Sequence, residues 1–456
     1  MSAANALKAE ETPEECRESL GPYAAKMPTN ARDQKEQLLE VGDKRSTTGP
    51  ADGGDGDEGP PVPRGWKSHK NGVEVRVPPG TSDASSQLIL AILRRTITHP
   101  QHMTQLIQQA DPNAQPRLHV EGTTTTPTTR FKHYPLLSLS IDNLSDNSVP
   151  TIWAAKGDNA SAPVAIPKWQ TPGLQLAIMR ILIERGADIN AGLGSPIRVA
   201  IASCKRTAFD LLMSQLGIQL RGRQVLDLPE TLPTDQPTEA HEAILLSFYQ
   251  QLIQRDSTLA TERRADGNNY LHVAAADRTL PFVCSQQFIE NYIGLLVANG
   301  ADIAGVDNDL RVTPLHHAAL RGSHRLAASL CRRLAAADVN RGPPNDPSFT
   351  PLTISARCLY GVTQTLQDNN TGQAVRDRAN IRIPQWKATI RTLLRAGADI
   401  ALMPMATEGQ RQQRQWVLAE CTTVLNELGD AVMAAINDAL APQRSLAALL
   451  AHCHTG

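Results

Sequence analysis

Hydrophobic positions between residues 313 and 334 repeat with the spacing of two successive amphipathic helices. Leu315 and the alanine pair that follows it share one side of the first helix, and Gly322 separates this helix from the second. Thr313 and Pro314 are residue types that begin helices, because threonine caps free main-chain amides and proline lacks the amide that a first turn leaves unpaired. A helix pair this small cannot bury its own apolar face, so the pattern predicts that it stacks on neighbours.

Degraded copies of this unit occur on both sides of it. The helix-start phrase Thr-Pro-Leu-His recurs in looser form, and its leucine position falls at residues 136, 197, 271, 315 and 352. A Gly-Ala-Asp-Ile phrase that ends the unit occurs at 186–189, 300–303 and 397–400. The spacing between copies is uneven, which predicts insertions at 142–173 and 360–384 and a longer connection between the second and third copies.

The order of these signals, a turn, the Thr-Pro-Leu-His start, two antiparallel helices and a Gly-Ala-Asp end, resembles that of the ankyrin-repeat family over residues 130–402. The copies depart from that family in spacing, since a regular ankyrin array repeats every ~33 residues. The resemblance implies an all-α fold, an ankyrin-type helical repeat solenoid. In that family the histidine of the start phrase hydrogen-bonds the main chain of the adjoining turn, which implies the same role for His272 and His316. The residues of the structural motif are Thr313, Pro314, Leu315, His316, His272, Thr350, Pro351 and Leu352.

The segments that flank the repeats have different patterns. Residues 1–80 are rich in proline and glycine, with an acidic linker at 49–59, so we expect a disordered segment that serves as a tether or as a delivery or regulatory tail. Residues 84–110 form an atypical helical hairpin that caps the array within a domain spanning 81–402. Residues 403–456 are expected to form a C-terminal helical cap, whose main helix begins at Trp416 and ends before Pro442.

The composition and net charge argue against several classes of protein. A net charge of -1 and 4% aromatic residues argue against a general nucleic-acid binder, which needs a basic surface and stacking platforms. The seven cysteines are scattered and contain no CxxC pair, which indicates reduced thiols inside a cell. There is no apolar run of membrane-spanning length and no secretory signal. We therefore expect a cytoplasmic monomer that binds neither membranes nor nucleic acid.

Motifs for catalysis, cofactors and metals are missing from the sequence. It contains no glycine-rich phosphate loop, GxSxG elbow, HExxH helix or kinase signature, so we assign no catalytic residue and no cofactor. His316 and His317 are adjacent and point about 100° apart on a helix, so they cannot chelate one ion together. His452, Cys453 and His454 could bind a soft metal, but a solvated tail is the preferred interpretation.

These observations predict a non-enzymatic scaffold or adaptor that binds a partner protein through a concave repeat surface. The resemblance implies that the turn residues and those after the alanine pair contact the partner. They are Asp266, Asn268, Asp277, Asp309, Leu310, Arg321, Asp346, Phe349 and Arg357. Of these, Phe349 and Arg321 are expected to be exposed binding anchors, since aromatic and arginine side chains dominate binding energy. Replacing both by alanine should then weaken binding without changing the melting temperature.

Two other functions remain open. Trp416 to Glu420 fits the WxxxE pattern of bacterial effectors that activate small GTPases, so the chain could be an effector delivered into a host cell's cytoplasm. Against this, two fixed residues at helical spacing arise easily by chance, and Trp416 is well placed to pack on the last repeat. The second alternative is an adaptor or inhibitor that occludes an enzyme's site.

Overall fold

The computed structural model describes residues 66–68, 72–123, 133–144, 149–157, 160–192, 194–232, 236–277, 283–367 and 371–453. They divide into two compact units, the N-terminal unit (66–302) and the C-terminal unit (303–453). The predicted acidic linker at 49–59 and the rest of the segment before residue 66 lie outside the described residues, as does His454. The predicted domain boundaries at 80 and 402 stay predictions.

The N-terminal unit contains a mixed five-stranded sheet with the order β1-β5-β4-β3-β2. The strands are β1 (Lys67–Ser68), β2 (Val73–Arg76), β3 (Arg117–Val120), β4 (Trp153–Lys156) and β5 (Ala160–Ala165). Strands β2 and β3 pair antiparallel, as do β4 and β5, whereas β3 with β4 and β1 with β5 are parallel. In the register, Val73 lies opposite Val120 and Trp153 opposite Pro163.

This sheet shows that the predicted all-α, ankyrin-type solenoid is wrong for the chain. Strands β4 and β5 occupy the segment 142–173 that was interpreted as an insertion between helices. Strands β1 and β2 lie within 1–80, so the prediction of disorder is wrong for residues 67–68 and 73–76. The strands were missed because each has only two to six residues, so that even the alternating Val-Glu-Val-Arg of β2 is a weak signal by itself.

Helices make up the rest of the N-terminal unit. They are α1 (Asp83–Arg94), α2 (Pro100–Leu106), α3 (Leu136–Leu139), α4 (Pro172–Glu184), α5 (Pro196–Ala202), α6 (Arg206–Met213), α7 (Glu239–Arg255), α8 (Tyr270–Ala276) and α9 (Gln286–Ala298), with a 3₁₀ turn at Ser257–Thr261. The predicted hairpin at 84–110 is present as α1 and α2.

A buried arginine at the end of α1 joins three parts of this unit. Arg95 donates hydrogen bonds to the carbonyl oxygens of Leu139 (2.8 Å), Ile141 (3.2 Å) and Pro167 (3.1 Å). Its guanidinium also lies 3.7 Å from the carboxylate of Asp142. Burial lowers the pKa of Arg95 to about 10, although the negative charge of Asp142 favours the charged form. The side chain is therefore a charged core residue whose hydrogen bonds are supplied by main-chain carbonyls.

In the C-terminal unit, all regular secondary structure among the described residues is helical. Its helices are α10 (Pro314–Arg321), α11 (His324–Cys331), α12 (Ala336–Val339), α13 (Pro351–Gln367), α14 (Gln373–Arg395) and α15 (Glu408–Cys453), with a 3₁₀ turn at Ile400–Leu402. Helices α13 and α14 extend into the segment 360–384 that was interpreted as an insertion. Helix α15 continues past Pro442, so the predicted end there is wrong: one proline removes one main-chain hydrogen bond and can bend a helix without ending it.

Each helix-start phrase in the two units does begin a helix. Pro196, Pro314 and Pro351 are first residues of α5, α10 and α13, and Tyr270 is the first residue of α8. The residue at the leucine position is buried in each of these helices, and Leu315 is completely inaccessible to solvent. The phrase therefore works as a local signal for helix initiation in both units.

His316, the histidine of the helix-start phrase, forms a capping box with Thr313 at the start of α10. His316 Nδ1 accepts a hydrogen bond from the amide of Thr313 at 3.1 Å, and Thr313 Oγ1 lies 2.8 Å from the same nitrogen. Burial lowers the pKa of His316 to about 3, with His317 adding to the effect and the main chain at Phe349 and Arg341 opposing it. His316 Nε2 has no hydrogen-bond partner among the described residues, so the bond to an adjoining turn that the family resemblance implies stays a prediction.

The stability of the C-terminal unit is expected to depend on the protonation of His316. The pKa is about 3 when folded and near 6.5 when unfolded, so the contribution is complete above pH 6.5 and is lost as the pH falls toward 3. Between pH 8 and pH 5 the unfolding free energy should fall by about 2 kcal/mol from this group. Hydrogen exchange of peptides from α10, compared between the wild type and His316→Gln at each pH, measures it. Identical pH dependence in the two proteins would contradict this role.

Candidate functional site

A tight turn at residues 307–312 precedes α10 and is fixed from inside by one carboxylate. Asp307 is 5% exposed, and its Oδ1 accepts hydrogen bonds from the amides of Leu310 (2.8 Å) and Val312 (3.3 Å). Its Oδ2 lies 3.8 Å from His317 Nε2. Burial acts to raise the pKa of Asp307, but His317 and the two amides outweigh it and hold the pKa below its usual value. Asp307 therefore fixes the main-chain conformation of the turn without contributions from the outward side chains.

Three residues project from this turn. Asp309 and Arg311 are exposed and Leu310 is half-buried. The side chains of Asp309 and Arg311 make no hydrogen bond or ion pair with any residue that the structure describes. Arg311 adopts a left-handed conformation (φ 57°), whereas the corresponding position before α8, two residues ahead of the helix cap, is Gly267 (φ 81°). An arginine is held here in a backbone conformation that glycine adopts more easily.

Arg311 was not among the predicted contact residues. The sequence did contain a signal for it, because Gly267 stands two residues before the cap of α8 and Arg311 two residues before the cap of α10. A turn position that takes glycine in one copy and a long charged residue in another indicates that the side chain has a use of its own.

The C-terminal end of α10 lies beside the first half of α13. Ser355 Oγ donates to the carbonyl of Ala319 at 3.4 Å, and Cys358 Sγ lies 3.8 Å from the carbonyl oxygen of Leu320. The predicted contact residues Arg321 and Arg357 are at this level of the two helices and are half-buried. We group the three outward residues of the turn with these two arginines under the name tip surface; it consists of Asp309, Leu310, Arg311, Arg321 and Arg357.

Phe349 does not belong to the tip surface, and its prediction as an exposed anchor is wrong. The ring is 4% exposed and lies beneath the guanidinium of Arg357, which is 5.9 Å from the ring centroid. Asp346, three residues before it, is half-buried and holds the turn at 346–349: its Oδ1 accepts from the amide (3.2 Å) and hydroxyl (2.7 Å) of Ser348. Phe349 and Asp346 therefore stabilise neighbouring segments and are not part of the tip surface.

The predicted contact residues of the N-terminal unit are also used by its own turns. Asp266 Oδ1 accepts a hydrogen bond from the amide of Asn268 at 3.0 Å, and Asp277 is the C-cap of α8. Asn268 is 9% exposed, so its prediction as a surface contact is wrong. In α8, His272 Nδ1 accepts from the amide of Asn269 at 3.3 Å, which repeats the arrangement of His316 in α10.

Trp416 and Glu420 of the WxxxE pattern both face helices of the C-terminal unit. The Trp416 ring lies 5.7 Å from that of Tyr360 on α13. Glu420 is 8% exposed and pairs with Lys387 (3.4 Å) and Arg391 (3.3 Å) on α14. These contacts fix α15 against α13 and α14, and they account for the pattern by packing.

Across the described residues, no helix has both the length and the apolar character needed to cross a lipid bilayer. In the same part of the chain, no three His, Cys, Asp or Glu side chains converge in the way that a metal site requires. No family model matches the chain, and no curated protein matches it either, so the resemblance to the ankyrin-repeat family stays a prediction.

Proposed function

We propose that this chain is a non-enzymatic scaffold or adaptor that binds a partner protein through the tip surface of its C-terminal unit. The observation that carries the proposal is the 307–312 turn. Asp307 fixes its main chain from inside, while the outward side chains of Asp309 and Arg311 take no part in holding it. A surface whose shape is set before binding loses little conformational entropy when a partner docks.

The chemistry of the tip surface also suits a protein partner. It includes three arginine side chains and a half-buried leucine, and arginine is enriched among the residues that dominate interface energy. The Arg357 guanidinium rests on the Phe349 ring, which limits its rotamers in the unbound protein. We further propose that the chain acts as a monomer in the cytoplasm, where its scattered cysteines would stay reduced.

A charge-reversal variant tests the proposal. Affinity capture from a lysate of the source organism would use full-length wild type and the double variant Asp309→Arg with Arg311→Glu as baits. We expect a partner protein to be recovered with the wild type and reduced at least about tenfold with the variant, since losing two interface charges costs more than ~1.4 kcal/mol. The melting temperature should not change, because neither side chain bonds to described residues.

A matched control reverses an exposed ion pair elsewhere in the same unit. Glu408 and Arg411 of α15 are 2.8 Å apart with exposed side chains, so Glu408→Arg with Arg411→Glu makes the same change of charge away from the tip surface. This control should recover the partner as the wild type does. Equal recovery by all three baits, or equal loss in both variants, would refute the tip surface as the binding site.

A further inference from the structure

Cys204 lies in an unusual backbone conformation at the end of α5. Its φ is 50°, in the left-handed region, and the helix end is closed by hydrogen bonds from the Cys204 amide to Ile201 O (3.0 Å) and from the Lys205 amide to Ala200 O (3.0 Å). Counted from the proline that begins each helix, the same position after α10 is Gly322. The position suits glycine, and here it carries a thiol.

The thiol is in contact with an imidazole of the neighbouring helix α7. Cys204 Sγ lies 3.6 Å from His241 Nε2 and 3.5 Å from the His241 carbonyl oxygen. His241 is 5% exposed, whereas Cys204 is half-buried and therefore reachable from solvent. A histidine ring nitrogen at this distance can take up the thiol proton, which is the arrangement that activates nucleophilic cysteines.

Two other titratable groups interact electrostatically with Cys204. Lys205 is adjacent in sequence; burial lowers the pKa of its amine, while Asp142 and Cys204 favour the charged ammonium. On α7, Tyr249 is buried with its pKa well above the usual value, so it stays neutral beside the thiol. The imidazole of His241 and a positive charge on Lys205 both favour a thiolate at Cys204, while the carboxylate of Asp142 interacts with the same lysine.

We propose that Cys204 is a reactive thiol, activated by His241, that forms mixed disulfides with low-molecular-weight disulfides. In the step, the thiol proton passes to His241 Nε2 and Sγ attacks one sulfur of the incoming disulfide. The original S–S bond breaks, a new one forms to Cys204, and the departing thiolate takes the proton back from the imidazolium. The incoming disulfide is the oxidant, and one of its two sulfurs leaves as a free thiol. This site lies in the N-terminal unit and does not depend on the tip surface.

The chain carries its own controls for this reaction. Cys284 is 2% exposed, and burial raises the pKa of the Cys331 thiol to about 12. Cys421 is half-buried like Cys204, but it makes no hydrogen bond or ion pair with the described residues. Differences between Cys204 and Cys421 therefore report the imidazole and the lysine rather than solvent access.

The experiment treats full-length protein with oxidised glutathione at pH 6 to 9 and measures each cysteine's modification rate by peptide mass spectrometry. At pH 7 we expect Cys204 to react at least about tenfold faster than Cys421, and Cys284 and Cys331 to lag further. His241→Gln should bring the Cys204 rate close to that of Cys421. Equal rates at Cys204 and Cys421 in the wild type would overturn the proposal, as would an unchanged Cys204 rate in folded His241→Gln.

If His241→Gln does not fold, a second measurement on the wild type alone tests the proposal. The pH at which the wild-type Cys204 rate is half-maximal should lie below ~8.5, the ordinary thiol pKa, because the neighbouring groups stabilise the thiolate. A half-maximal pH at or above that value would overturn the proposal without any variant.

Discussion

Replacing Phe349 by alanine is expected to destabilise the C-terminal unit by about 3 to 5 kcal/mol. The ring is 4% exposed in the packed segment before α13, so alanine leaves a cavity there and removes the surface on which Arg357 rests. This outcome is the opposite of the sequence-based expectation, which treated Phe349 as an exposed anchor. Hydrogen exchange of peptides from α10 and α13 in the full-length protein measures the change, because these helices exchange through unfolding of their unit.

Arg357→Ala is the matched control for Phe349→Ala. It removes the other partner of the same contact, but Arg357 is half-buried and its loss leaves no core cavity, so the unfolding free energy should change by less than about 1 kcal/mol. If Arg357 contacts a partner, this variant should weaken capture of that partner while the unit stays folded. A loss of less than about 1 kcal/mol with Phe349→Ala as well would show that Phe349 is not a core residue.

Arg95→Met is expected to destabilise the N-terminal unit by about 3 to 5 kcal/mol. Methionine has a similar length, but it cannot donate to the carbonyls of Leu139, Ile141 and Pro167, and it leaves the buried carboxylate of Asp142 without its cation. Burial raises the pKa of Asp142, and of the groups that oppose the rise Arg95 has the largest effect, ahead of the Trp169 amide. Removing the arginine should raise this pKa further. Hydrogen exchange of peptides from α1 and α3 measures the loss.

Arg76→Met is the control for Arg95→Met in the same unit. Arg76 pairs with Glu74 at 2.9 Å, but both side chains are about half exposed, and exposed ion pairs contribute little to stability. We expect no measurable change in exchange. A second comparison uses Arg95→Met together with Asp142→Asn, which removes the unpaired charge and should recover part of the stability. No recovery in the double variant would mean that the lost carbonyl contacts, and not the carboxylate, dominate.

Local signals in the sequence predicted the helix starts well. The phrase beginning at Thr313 produces a capped helix because four consecutive residues supply all that the start needs. They contain a cap residue, a proline in the first turn and a histidine that bonds back to the cap. The hairpin of α1 and α2 follows from apolar spacing in the same way. These elements need no knowledge of distant parts of the chain, so a repeated phrase was enough to find them.

Features that depend on distant residues could not be predicted. Strand β4 has the sequence Trp-Ala-Ala-Lys, which has no strong strand preference and becomes a strand because β3 and β5 pair with it. Phe349 is buried next to Arg357 of α13, and the conformation of Arg311 depends on the contacts that Asp307 makes. A repeat alignment assigns each position an average exposure and cannot see these individual contacts.

The pairing of β1 with β5 has a consequence for how the N-terminal unit folds. Lys67 lies opposite Val164, so the edge strand finds its partner only after roughly a hundred further positions have been synthesised. In a pure repeat array each helix pair contacts only its neighbours and folding can spread from any point. Here the chain must close a long loop first, so this unit should fold more slowly than its helix content suggests, and β1 must wait for β5 during synthesis.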